Sequence, residues 1–308
     1  MALTNTAHLT CNSNQAAFLG DPNFPMVAMR SSRGGKIRLY ESLYRTYSRL
    51  KFTRISDRPI AIAGLEQRLV AAFDTHGGYG VFERPFFGRS LLWKRDEASG
   101  RPMTPIVFPP GQEYRVPSWS WMAYVGAVEF MDLPFDGVEW LHEHEEYSIR
   151  SPWAAAMATA ATAATTRTTP ASSSSSFASA MSNKTWHTGD ASGRTYLQAV
   201  ARAVRSTRGR LNIIRDADTR LASYAREGGK EAVLREWERV VVVGRRKPSR
   251  KGADVASLEH FVLVVQPRRK PGEKGSAPRD SGGYERVGVG SVPGDCVVGS
   301  RPFNIRVY

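Results

Sequence analysis

The chain has 308 residues, a formal net charge of +14 and a hydrophobic share of 41%, enough length to bury a sizeable core in one large or two ordinary domains. No run of about 18 apolar residues occurs, so no membrane-spanning helix is expected, and the polar stretch Met1 to Gln15 lacks the apolar segment of a secretory signal. Cys11 and Cys296 are the only cysteines, which argues against a disulfide framework or a cysteine-built zinc site and for a reducing, cytoplasmic setting.

Along the chain, Tyr40, Leu43, Tyr44 and Tyr47 fall at the i, i+3, i+4, i+7 spacing of an amphipathic helix, after Gly34 and Gly35. A second helix is expected over Ile60 to Phe73, with Ile62, Leu65, Leu69 and Phe73 on one stripe. Asp57 stands where an N-cap belongs and Pro59 suits the first turn. Glycine-rich His76-Gly77-Gly78-Tyr79-Gly80 then turns the chain. Ser90 to Lys94 reads as a short strand, and Trp119 to Ala123 and Ala127 to Met131 read as a strand pair around Gly126. In a strand, Trp119 and Trp121 would face the same way.

Residues 151–193 are biased toward Ala, Thr and Ser. Their few bulky side chains cannot offset the entropy of ordering, so a disordered insertion is expected. Beyond it, Tyr196 to Arg205 alternates only imperfectly. Val240 to Val243 and Phe261 to Val265 read as buried strands of one hairpin. Tyr284 to Val289 and Phe303 to Val307 alternate as strands, and Gly288 and Gly290 imply a bulge or a close backbone approach. The expected fold is α+β. A helical section in residues 1–150 packs on a mostly antiparallel, twisted β region completed by residues 194–308, as one globular unit. Trp119, Trp121, Leu92, Val241, Val243, Leu263 and Val265 are expected in the core.

Six pieces in shared order carry a resemblance. They are Phe18-Leu19-Gly20-Asp21-Pro22-Asn23-Phe24-Pro25, Leu43-Tyr44-Arg45-Thr46-Tyr47-Ser48, Asp57-Arg58-Pro59-Ile60-Ala61-Ile62-Ala63-Gly64-Leu65, Ser90-Leu91-Leu92-Trp93, Pro117-Ser118-Trp119-Ser120-Trp121 and Tyr284-Glu285-Arg286-Val287-Gly288-Val289-Gly290. In these the chain resembles the region downstream of the HET domain in fungal heterokaryon-incompatibility proteins. The signature of the HET domain itself has no counterpart here. The resemblance implies a non-catalytic interaction or regulatory region with a protein partner, in self/non-self recognition. Residues attached to HET-domain activity cannot be carried over.

No catalytic, cofactor-binding or metal-binding set is assigned. His142-Glu143-His144-Glu145-Glu146 would present His142 and His144 on one face of a strand, but no third ligand follows from spacing. A hydrolase built on that segment is one rival reading. Asp57 is read as a cap and Arg58 as the partner of a nearby carboxylate. Cys11 and Cys296 lack an activating base. The glycines at 77, 78 and 80 follow a helix, unlike a dinucleotide fingerprint. Trp93, Trp119, Trp121, Trp140 and Trp153 are read as core. The basic loops Arg245-Arg246-Lys247 with Arg250-Lys251, and Arg268-Arg269-Lys270 with Lys274, give weak polyanion attraction and a second rival, nucleic-acid binding.

Overall fold

A computed structural model describes residues 24–109, 116–141, 149–153, 194–204, 211–217, 234, 236–248, 254–268, 283–297 and 299–308. Helices α1 (Phe24–Arg30), α2 (Arg33–Ser48) and α3 (Arg58–Phe73) form the helical section, followed by the short α4 (Phe87–Leu91). Helix α2 starts earlier than the periodicity suggests. Ser32 caps it by accepting the Gly35 N–H, so Gly34 and Gly35 lie inside its first turn. Helix α3 begins at Arg58 with Pro59 in its first turn. Asp57 occupies the cap position, but its side chain makes no capping hydrogen bond.

After α3, Asp74 takes a left-handed conformation that closes the helix. Strands β1 (Gly77–Gly78) and β2 (Val81–Phe82) then pair across Tyr79-Gly80, both at positive φ. Two positive-φ residues between paired strands make the tight hairpin turn that the glycines allow. Strand β3 is confined to Trp93–Arg95, because Ser90 and Leu91 complete α4. Strands β4 (Thr104–Pro105), β5 (Tyr124–Val125) and β6 (Val128–Phe130) are short. The expected pairing around Gly126 does not form: β5 pairs with β4, and β6 pairs with β3.

The remaining strands are β7 (Val138–Trp140), β8 (Ile149–Arg150), β9 (Leu197–Arg202), β10 (Asn212–Arg215), β11 (Arg239–Arg246), β12 (Glu259–Pro267), β13 (Gly283–Pro293) and β14 (Phe303–Val307). In order, β11, β12, β13, β14 and β9 pair edge to edge, and β9 returns to β11, closing a five-stranded barrel. All its pairings are antiparallel except β13 with β14. Strands β7, β8 and β10 extend it. The expected hairpin is β11 with β12, and 196–205 contains a strand.

Strands β11 and β12 have continuous apolar runs because both faces are covered. Val241, Val243, Leu263 and Val265 point into the core shared with Trp119 and Trp153. Val240, Val242 and Val262 pack outward against Val292, Cys296 and Val297. On β13 the register slips opposite Val264 and Val265. Just beyond, a Cβ on Gly288 would lie 2.7 Å from the Ile214 carbonyl oxygen, and one on Gly290 2.0 Å from that of Asn212. Both the bulge and the close approach are present, and the approaching backbone is β10. Of the expected disordered insertion at 151–193, Ser151, Pro152 and Trp153 are instead buried in the fold, with the Trp153 ring against Trp119, and residues 154–193 lie outside the described residues.

Candidate functional site

The seam between the helical section and the barrel holds the buried side chains of Arg58, Glu66, Asp216 and Arg286. The segment Pro117 to Trp121 is not a strand. The Ser120 N–H closes a turn onto the Pro117 carbonyl, and the Ser120 hydroxyl accepts the Met122 N–H to start a single 3-10 turn at Trp121. Trp119 and Trp121 are therefore sent into different cores. Trp119 meets Tyr79 and Trp153 edge-on within the barrel cluster, and Trp121 packs on Tyr44 and Tyr47 in the helical cluster. Both indoles are fully buried. Alternation of large apolar residues predicts burial well, but it does not distinguish a strand from a turn whose middle residue caps the next one.

Arg58 enters this seam from the first residue of α3. It is 1% exposed and no described carboxylate pairs with it, contrary to the sequence expectation. Its guanidinium donates instead to the main-chain carbonyls of Ser48 (2.8 Å), Gly126 (3.1 Å) and Tyr124, and lies 5.0 Å from the Trp121 ring centre. Three carbonyls and an aromatic face supply the partial negative charge that a carboxylate would otherwise provide. Burial pushes its pKa down to about 10, so it stays protonated at neutral pH.

Arg286, from β13, makes the equivalent clamp on the barrel side. It donates to the carbonyls of Leu91 (2.8 Å) and Trp93, and to both carboxylate oxygens of Asp216 (3.0 and 3.2 Å). Its guanidinium carbon stacks 3.3 Å from the Trp93 ring centre. The Trp93 indole N–H donates to the Trp119 carbonyl at 2.9 Å, and the Arg286 N–H donates to the Ser118 hydroxyl at 2.9 Å. The Tyr124 hydroxyl donates to the Arg286 carbonyl at 3.2 Å, which links the two clamps.

Glu66 of α3 faces the β1–β2 turn and accepts the Gly80 N–H at 2.5 Å. Burial pushes its carboxyl up to about 7, against the pull of the Gly80 and Tyr79 N–H groups. Gly80 is fixed there twice over, by its positive φ and because a Cβ would lie 2.1 Å from the Trp121 indole nitrogen. Glu41 of α2 is also pushed up to about 7 by burial, with Arg89 3.9 Å away opposing the shift.

The other sequence candidates lie elsewhere. His142, His144 and Cys11 fall outside the described residues. Cys296 is buried beside Asp295, under the outer face of β11 and β12. Trp140 and Trp153 are buried like the other indoles. Arg245 and Arg246, expected in a basic loop, instead end strand β11, where Arg245 grips Glu139 through two bonds, of 2.7 and 2.9 Å, and Arg246 grips Glu259. Arg250, Lys251, Arg269, Lys270 and Lys274 fall outside the described residues. Among the described residues no group of three or more His, Cys, Asp or Glu is placed to hold a metal ion, and no helix is long and apolar enough to cross a membrane.

Chemically, the seam is built on two arginines whose terminal nitrogens meet main-chain carbonyls and, for Arg286, the Asp216 carboxylate, while Arg58 Nε and the Trp119 and Trp121 indole N–H groups are buried without a hydrogen-bond partner among the described residues. Arg58 and Arg286 reach carbonyls that no side-chain motif marks, which is why sequence reading missed their roles. No family model, no curated protein and no solved structure matches the chain.

Proposed function

We propose that the chain is a non-catalytic interaction and regulatory module, related in role to the region after the HET domain of fungal heterokaryon-incompatibility proteins. One observation carries this reading. Five of the six resembling pieces converge on the seam. Tyr44, Tyr47 and Ser48 contact Trp121 or Arg58; Trp93 stacks under Arg286; Ser118 accepts from the Arg286 main chain. Of the sixth piece, residues 18–23 lie outside the described residues. In this chain those pieces serve to join the helices to the barrel. The distinctive arginines are engaged with carbonyls and rings inside the protein, so recognition falls to the surface the scaffold displays.

The test is expression of the full chain in fungal cells that carry a HET-domain protein, scoring cell death on hyphal fusion. The expected result is a changed death frequency, abolished by surface substitutions that leave the melting temperature intact. Turnover of an ester, peptide or phosphodiester substrate by the purified chain, lost on a single buried-residue substitution that keeps the fold, would overturn the reading.

A further inference from the structure

A second cationic surface lies where β8, β9 and β14 pair. The register sets Gln198 of β9 opposite Arg306 of β14 and Arg150 of β8. These three form one row across three strands. They point outward, because their neighbours Ile149, Leu197, Ile305 and Val307 fill the core. One step along, Tyr196 and Tyr308 lie side by side with ring centres 5.5 Å apart, each partly exposed. Three guanidinium groups lie over this pair. Arg194 is 4.7 Å and Arg268 5.5 Å from the Tyr308 ring centre, and Arg306 is 5.1 Å from that of Tyr196. Glu285 borders the patch, and its carboxylate accepts the Gln266 amide at 2.8 Å.

We propose that this face binds single-stranded nucleic acid, an activity beyond the interaction role above. Arg150, Arg268 and Arg306 meet phosphates, while bases stack on the tyrosine rings and on the guanidinium planes that cover them. Interleaved rings and guanidinium groups are what unpaired bases need, since every base has a π face and the backbone a charge at each step. A duplex hides those faces, and an acidic peptide has none to offer. The net charge of +14 adds non-specific attraction but no preference for single strands.

The experiment is fluorescence anisotropy of the full chain with labelled oligouridylate of about twenty nucleotides, a duplex of equal length and an oligoglutamate peptide, from about 50 to 200 mM salt. The expected result is binding to the single strand at least about tenfold tighter than to either competitor. Tyr308→Leu should weaken it by about tenfold, the loss of one stacked base, with the salt dependence unchanged. Arg306→Gln, at an exposed position that leaves folding intact, should lower the salt slope by about 0.7. Arg246→Gln should change neither quantity. Equal affinity for single strand and duplex, or a folded Tyr308→Leu protein that binds as tightly as the parent, would overturn the proposal. Tighter binding to oligoglutamate would also overturn it and assign the face to an acidic protein.

Discussion

Replacing Arg286 by Met tests the seam where its interactions are densest. The methionine fills much of the same volume but strands Asp216, which is 1% exposed, and frees the carbonyls of Leu91 and Trp93 from their donor. Removing one partner of a buried ion pair costs about 3–5 kcal/mol. Each orphaned buried carbonyl adds about 1–3 kcal/mol where water cannot reach it. A sum of about 5 kcal/mol or more approaches the whole stability of an ordinary domain, which is about 5–15 kcal/mol. Urea unfolding followed by tryptophan fluorescence should therefore show the Arg286→Met protein largely unfolded or with its midpoint sharply lowered. Removing both charges, as Arg286→Met with Asp216→Leu, should recover about 2 kcal/mol or more of that loss, because the unpaired carboxylate goes too. A single variant within about 1 kcal/mol of the parent would refute the reasoning, since no solvated surface ion pair is worth more than that.

Other expectations follow from the same geometry. Glu66 has a folded pKa of about 7, above its unfolded value, so its contribution is complete below about pH 4.5 and is lost as pH rises through 7. Glu66→Gln should remove that dependence and, above about pH 8, exceed the parent by up to about 3 kcal/mol in urea titrations; parallel pH profiles for the two proteins would contradict this. Gly80→Ala puts a methyl group 2.1 Å from the Trp121 indole nitrogen at a positive φ, and thermal melts should show a loss of about 2 kcal/mol or more. Gly290→Ala drives β10 away from β13 by collision with the Asn212 carbonyl. Its cost of about 1–3 kcal/mol should appear with faster amide exchange at Ile213 and Ile214.

Much of the architecture was legible in the sequence. The helix stripes of α2 and α3, the β11–β12 hairpin and the glycine signal on β13 arise from local periodicity and backbone freedom, which a sequence carries directly. All seven residues expected in the core are there, Trp119 and Trp121 among them. What escaped was set by partners distant in the chain. The Trp119–Trp121 alternation reads as a strand until the Ser120 cap is seen to make it a turn between two cores. Of the two strands expected to pair around Gly126, the first is a turn, and the second, as β6, joins β3, because pairing depends on what the rest of the fold leaves adjacent. Arg58 was expected beside a carboxylate, yet its acceptors are the carbonyls of Ser48, Tyr124 and Gly126. Main-chain acceptors leave no signature in residue identity. The aromatic and basic face around Tyr308 was invisible for a related reason: only the β9–β14 register brings Tyr196, 112 positions away in sequence, beside it.

Native-state hydrogen exchange on the parent chain tests most directly whether the arginine clamps weld helices and barrel into one body. Amides of α2 and α3 and those of β11 to β13 should open together, with one shared free energy and one shared denaturant dependence. Exchange of the helical amides through a separate, lower-energy opening, with the barrel amides still protected, would contradict the account.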